Sequence, residues 1–170
     1  FARCVATDAK GTVEVLKAAY EHKGASVTEV LQNCVIFNDH CHDVVYNNDG
    51  RRKNAIYVRH GEKLVFGENQ EYGLVQQGFS LKVVTIGQDG YTLDDVLTHD
   101  AHCEDNTLQL KLAMMTPEDG FPIALGVIRD VEAPTYDQAV HRQIAEVSAQ
   151  KKYHNFMELL ETNDTWTVEA

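Results

Sequence analysis

The chain has 170 residues, 44% of them apolar and 24% charged, with 15 Lys+Arg against 26 Asp+Glu and a formal net charge of -11. That balance describes a globular domain that buries roughly 70% of its unfolded surface, and it excludes disordered, collagenous and coiled-coil classes. No run reaches the roughly 18 apolar residues a bilayer span needs, no signal-peptide pattern opens the chain, and the negative field disfavours nucleic acid, so neither membrane nor nucleic acid is an expected partner.

The first periodic stretch predicts a helix over Thr12 to Lys23, with Val13, Leu16, Ala19 and Tyr20 on its inward face and Gly24 as the stop. Ala25 to Leu31 is β-branched and reads as a strand, so helix then strand gives an α/β unit over 1-46. Asn47 to Lys53 is turn-forming and reads as a loop. It opens a β-rich lobe over 47-98, with short strands at Ala55 to Arg59, Leu64 to Phe66, Gly73 to Val75 and Leu81 to Ile86, whose alternation suits half-covered antiparallel strands.

A third segment, 99-170, completes the α/β domain. It holds a helix from Thr107 to Met115, N-capped by Asp105 or Asn106, with Leu108, Leu112 and Met115 inward. Ile123 to Ile128 is a continuous apolar run, as expected of a strand covered on both faces. Thr135 and Gln138 form a capping box for a helix with Tyr136, Val140, Ile144 and Val147 inward, and Asn155 to Glu161 is a last short helix.

Four cysteines (Cys4, Cys34, Cys41, Cys103) stand at irregular spacing without a C-x-x-C pair, which reads as reduced thiols in a cytoplasmic protein. His99-Asp100-Ala101-His102-Cys103-Glu104-Asp105 is dense in ligand types but has no zinc-site spacing, and it reads as a polar loop before a helix N-terminus. In Asp39-His40-Cys41-His42-Asp43, an extended backbone would converge His40 and His42, while a plain surface loop would not. Gly87-Gln88-Asp89-Gly90 lacks the frame of a phosphate loop and reads as a turn. Cys34 is read as ending a buried strand, where α/β proteins place functional groups, and is either such a group or a small buried hydrophobe. These residues alone describe an acidic α/β domain.

Three separated stretches carry a resemblance. Val30-Leu31-Gln32-Asn33-Cys34-Val35-Ile36-Phe37-Asn38, then His99 to Asp105, then Pro122 to Asp137 resemble the C-terminal half of the β subunit of 2-oxoacid:ferredoxin oxidoreductases, the 2-oxoglutarate branch above all. The resemblance implies part of a thiamine-diphosphate-binding type α/β domain, with a β-rich insertion and C-terminal helices. The implied activity is oxidative decarboxylation of a 2-oxoacid with coenzyme A, giving acyl-CoA, CO2 and reduced ferredoxin. The implied cofactors of the intact enzyme are thiamine diphosphate, Mg2+ and a [4Fe-4S] cluster, and its implied partners are an α subunit and ferredoxin.

The family's Gly-Asp-Gly motif for the diphosphate and its C-x-x-C-G pair are absent from these 170 residues, so the segment is expected to be inactive alone, to contain no catalytic residue and to bind none of these cofactors by itself. Carried over is Cys34, which matches the late cluster cysteine of the family and is implied to be an iron-sulfur ligand in the intact subunit. A chain that opens Phe-Ala-Arg-Cys without an initiator Met fits a lost preceding half. The alternative from a different class is a free-standing, non-catalytic α/β interaction domain, which should show no large exposed apolar face.

Overall fold

The computed structural model describes residues 1-162, 164 and 166-169. Two units can be distinguished, Phe1–Ala133 and Pro134–Ala170. The larger is built on a four-stranded mixed sheet containing β1 (Ala2–Val5), β2 (Thr28–Leu31), β3 (Ala55–Val58) and β7 (Ile123–Val127), in the order β2-β1-β7-β3. β1 and β2 are parallel and joined by helix α1 (Ala9–Glu21), the crossover that a parallel pair requires. β7 lies between β1, antiparallel to it, and β3, parallel to it. The expected α/β class is borne out.

β7 explains why its sequence is a continuous apolar run. Ala124 packs with Ile56, Val58 and Ile128 on one face, while Leu125 packs with Val5, Leu31, Val45 and Ala55 on the other. Each fully buried aliphatic side chain of this kind stabilises the fold by roughly 1.5–3 kcal/mol. The first face is closed by α4 (Thr107–Met114) through Leu112 and Met115, and by a three-stranded antiparallel sheet of β4 (Val65–Phe66), β5 (Tyr72–Gln77) and β6 (Ser80–Thr85). Those three strands and α4 stand where the alternation places them. Gly87 and Gly90 both have positive φ, and the Gly87 amide donates to the Tyr91 carbonyl at 2.7 Å, so that stretch is the expected turn.

Several expectations are corrected. β3 does not belong to the antiparallel lobe: its alternation holds, with Ile56 and Val58 buried and Tyr57 exposed, but it pairs in parallel with β7 and is a strand of the main sheet. Asn47 to Lys53 is not a loop, because α3 (Asn48–Asn54) runs through it, with the Asn47 side chain accepting from the Gly50 amide as its N-cap. A short helix, α2 (Asp43–Tyr46), precedes it. α1 begins earlier than expected, at Ala9, and is N-capped by Asp8, whose carboxylate accepts from the Gly11 amide at 3.1 Å. Its stripe is inverted: Val15 is buried, whereas Val13, Leu16 and Tyr20 are 65%, 51% and 90% exposed.

The second unit contains α5 (Tyr136–Ala149), which carries the expected capping box of Thr135 and Gln138, and α6 (Phe156–Leu160). The stripe expected to face inward on α5 does not, since Tyr136, Ile144 and Val147 are exposed. Among the described residues no helix is long and apolar enough to cross a membrane.

Candidate functional site

Cys34 does not end a buried strand. β2 stops at Leu31, and Cys34 opens a tight loop closed by an antiparallel bridge to Asn38, whose amide donates to the Cys34 carbonyl at 2.9 Å. The backbone amides of Phe37 and Ile36, with a smaller effect of Asn38, hold the thiol pKa below its ordinary value and outweigh the opposing effect of burial. Such an amide cradle favours the thiolate, the form that acts as nucleophile or metal ligand. Asn33 secures the loop from outside: its amide donates to Asp39 at 2.7 Å, and its carbonyl oxygen accepts from the His40 amide at 2.8 Å. The loop displays Val35, Ile36 and Phe37 at 73%, 82% and 90% exposure.

The extended backbone that would bring His40 and His42 together does not form. His40 has φ +65°, its Nδ1 lies 2.9 Å from Asp43, and His42 is the residue before α2. Asp39 to Asp43 is thus the surface-loop alternative. Among the described residues no group of three or more His, Cys, Asp or Glu side chains is arranged to hold a metal ion.

His99 to Asp105 divides into two parts. Asp105 accepts from the Thr107 amide at 2.8 Å in the first turn of α4, as a carboxylate at a helix N-terminus should. His99 is fully buried, with Nε2 at 3.0 Å from the Val127 carbonyl and Nδ1 without a partner among the described residues, and burial lowers its pKa. That ring is therefore neutral and ties the loop to the end of β7. His102 Nδ1 lies 2.6 Å from the Asp130 carbonyl, and its ring sits 4.4 Å from that of His60.

Sequence reasoning did not single out the polar cluster between the β1 end and β3. A cavity of about 300 Å3 is lined there by Cys4, Asp8, Val15, Tyr57, Arg59 and His102, among others. The Tyr57 hydroxyl donates to Asp8 at 2.8 Å. Burial raises the Asp8 pKa, but the Gly11 amide, the Tyr57 hydroxyl and the Arg51 charge outweigh it and leave the carboxyl below its usual value. Arg51 is itself buried, and its guanidinium donates to Thr7 at 2.7 Å, to the carbonyls of Val45 and Tyr46 at 3.1 and 2.7 Å, and to Asn48. An Asp four residues before Thr12 was a legible N-cap signal. Nothing in the Arg51-Arg52-Lys53 run signals that its first member is buried.

Tyr57 gives this cluster a measurable signature. Burial first, and then Asp8, push its pKa up to about 12. A raised folded pKa means stability that is intact below the unfolded value of about 10 and is lost as pH rises toward 12, because the unfolded chain releases the proton first. With the ring 36% exposed, the loss should be on the order of 1 kcal/mol after screening. Urea unfolding at pH 9, 10 and 11 should show this decline, and Tyr57→Phe should flatten it; an unchanged slope in the variant would rule Tyr57 out as the source.

No family model and no solved structure matches the chain. The sequence is 37% identical over 169 residues to the 2-oxoglutarate oxidoreductase subunit KorB of Mycobacterium tuberculosis (strain ATCC 25618 / H37Rv). The alignment takes in 98% of this chain but 44% of that protein, so the chain spans less than half the length of the relative it matches. The resemblance read from the three motifs is borne out in these terms: the chain is similar, almost end to end, to a C-terminal part of a 2-oxoglutarate oxidoreductase subunit.

Proposed function

We propose that the chain is the C-terminal part of the β subunit of a 2-oxoglutarate:ferredoxin oxidoreductase, in which it completes a thiamine-diphosphate-binding type α/β domain and supplies one iron-sulfur ligand. The observation that carries the reading is the similarity to KorB over 98% of the chain. The ligand is Cys34. Its amide-cradled thiol suits a soft iron site, since hydrogen bonds to cluster sulfurs are among the protein's levers on such a centre. With no three ligands converging among the described residues, the other thiolates of a [4Fe-4S] cluster would come from outside this segment. A cluster held there would relay single electrons to ferredoxin.

The same division of labour puts thiamine diphosphate and Mg2+ on the part of the subunit that carries the diphosphate motif. The 2-oxoacid and coenzyme A are consumed at that centre, with an α subunit as partner and the cytoplasm as compartment. The 170 residues alone are inactive on this reading. Exposed apolar side chains support it over the interaction-domain alternative: Val13, Leu16 and Tyr20 on α1, with Val35, Ile36 and Phe37 beside Cys34, are side chains that a free-standing domain would bury or replace.

The test is Cys34→Ser in the intact enzyme, read by iron, acid-labile sulfide and electron paramagnetic resonance. The cluster should be lost while thiamine diphosphate content stays unchanged, and Cys41→Ser should leave both intact. Full iron and sulfide in Cys34→Ser would remove Cys34 from the ligand set.

A further inference from the structure

Residues 34–38 form a turn that the core does not shape, since Val35, Ile36 and Phe37 at its tip are exposed. Its form rests on hydrogen bonds across its base. The inner one is the bridge in which the Asn38 amide donates to the Cys34 carbonyl at 2.9 Å. The outer closure is made by a single side chain. Asn33 Nδ2 donates to Asp39 at 2.7 Å while Asn33 Oδ1 accepts from the His40 amide at 2.8 Å, so both halves of one carboxamide reach the residues beyond the turn. The Asp39 carboxylate accepts from the His40 amide as well, at 3.0 Å, and the His40 ring lies 2.9 Å from Asp43, the first residue of α2. The turn is thereby tied between the residues after β2 and the start of α2. His40 has φ +65°, a conformation that costs free energy for a residue with a Cβ and that these bonds hold in place.

Among side chains of this size, only asparagine sets a donor and an acceptor side by side. Alanine supplies neither, and aspartate keeps the acceptor for His40 but turns a carboxylate toward a carboxylate. What the turn presents to Cys34 is backbone amides, those of Phe37 and Ile36 foremost. Amide donors to the sulfurs of an iron-sulfur centre favour its more negative, reduced form and so raise its potential. We propose that Asn33 is the positioning residue of the cluster ligand: its carboxamide clasps Asp39 and His40 and, through the 34–38 turn, sets the reduction potential of a cluster bound to Cys34. This role rests on the reading of Cys34 as a ligand, and it adds a residue that acts through the turn.

The experiment is a redox titration of the intact enzyme followed by electron paramagnetic resonance, with hydrogen exchange over residues 34–40 measured on the same preparations. Asn33→Ala should speed exchange there and weaken the preference for the reduced cluster about tenfold, which for one electron is a potential lower by about 59 mV. Asn33→Asp should shift the potential in the same direction. Asn33→Asp combined with Asp39→Asn reverses donor and acceptor at unchanged total charge, and it should restore the parent's potential. Asn155→Ala removes the same type of side chain from the cap of α6, where it accepts from the Glu158 amide, and should leave the potential where it was. If Asn33→Ala loses the cluster, the two aspartate variants carry the test. An unshifted potential in the Asn33 variants, or a double variant no closer to the parent than Asn33→Asp, would overturn the positioning role. Full iron in Cys34→Ser would instead overturn the ligand reading beneath it, so the two failures are told apart.

Discussion

Replacing Gly126 by alanine should destabilise the chain by about 3 kcal/mol or more, from two additive causes. Gly126 has φ +109°, a conformation in which an L side chain is strained, and a Cβ there would stand 2.5 Å from the Val58 carbonyl oxygen. That oxygen belongs to the strand paired with β7: Val58 and Gly126 are register partners, and Arg3 of β1 is the partner on the other side. Neither neighbour can retreat without opening the ladder on which both core faces rest. Gly120 is the control. It has φ +80° but open space around it, so Gly120→Ala should cost only the backbone strain, about 1 kcal/mol. Urea denaturation of the two variants separates the contributions. If Gly126→Ala proved no worse than Gly120→Ala, the close approach of β3 and β7 at this point would be wrong.

Legibility followed the physical source of each signal. β7 was readable because burial on both faces leaves a continuous apolar run, and α5 because a capping box is a local hydrogen-bonded device that needs no tertiary partner. β1 was missed: Ala2 to Val5 is four residues interrupted by Arg3, whose charge is answered at long range by Glu29 at 2.6 Å. α3 was read as a loop because Asn, Asp and Gly favour turns, yet the same residue types favour helix N-termini, and Asn47 caps Gly50. β3 shows the limit of alternation: Ile56 and Val58 are buried and Tyr57 is exposed, as the alternation expects, but alternation does not say that the partner strand is β7 and parallel.

At the candidate site, the residue types were readable and their surroundings were not. Cys34 could be singled out by position and resemblance, but the amides of Phe37, Ile36 and Asn38 that lower its pKa come from a turn no periodicity encodes. The stripes of α1 and α5 mark apolar faces correctly as faces, and misplace them as buried. Periodicity states that a face is apolar; what covers it is a separate fact. On the proposed reading, these faces are interfaces of the larger enzyme.

Arg51→Met should be as costly as Gly126→Ala, about 3–5 kcal/mol, although methionine fills similar space. The usual compensation for replacing a buried charge by an apolar group requires its partners to be replaced as well. Here the partners are backbone carbonyls of Val45 and Tyr46, which no single substitution removes, together with the Thr7 hydroxyl, which itself donates to the Tyr46 carbonyl, and the Asn48 side chain. The guanidinium therefore binds the segment after β1, the end of α2 and the start of α3 into one unit. α2 is the anchor on the far side of the Cys34 loop, so its loosening should propagate there. Arg51→Lys should recover less than half of the loss, because an ammonium cannot present two terminal nitrogens to acceptors on separate elements. Arg52→Met, one residue on but exposed, should stay within about 0.5 kcal/mol of the parent. Urea midpoints give the energies, and hydrogen exchange should show faster opening across residues 34–46 in Arg51→Met alone. Equal stability of the Arg51 and Arg52 variants would mean that the buried network does not hold the loop, and the Cys34 cradle would then have to be kept in shape by Asn33 and Asp39.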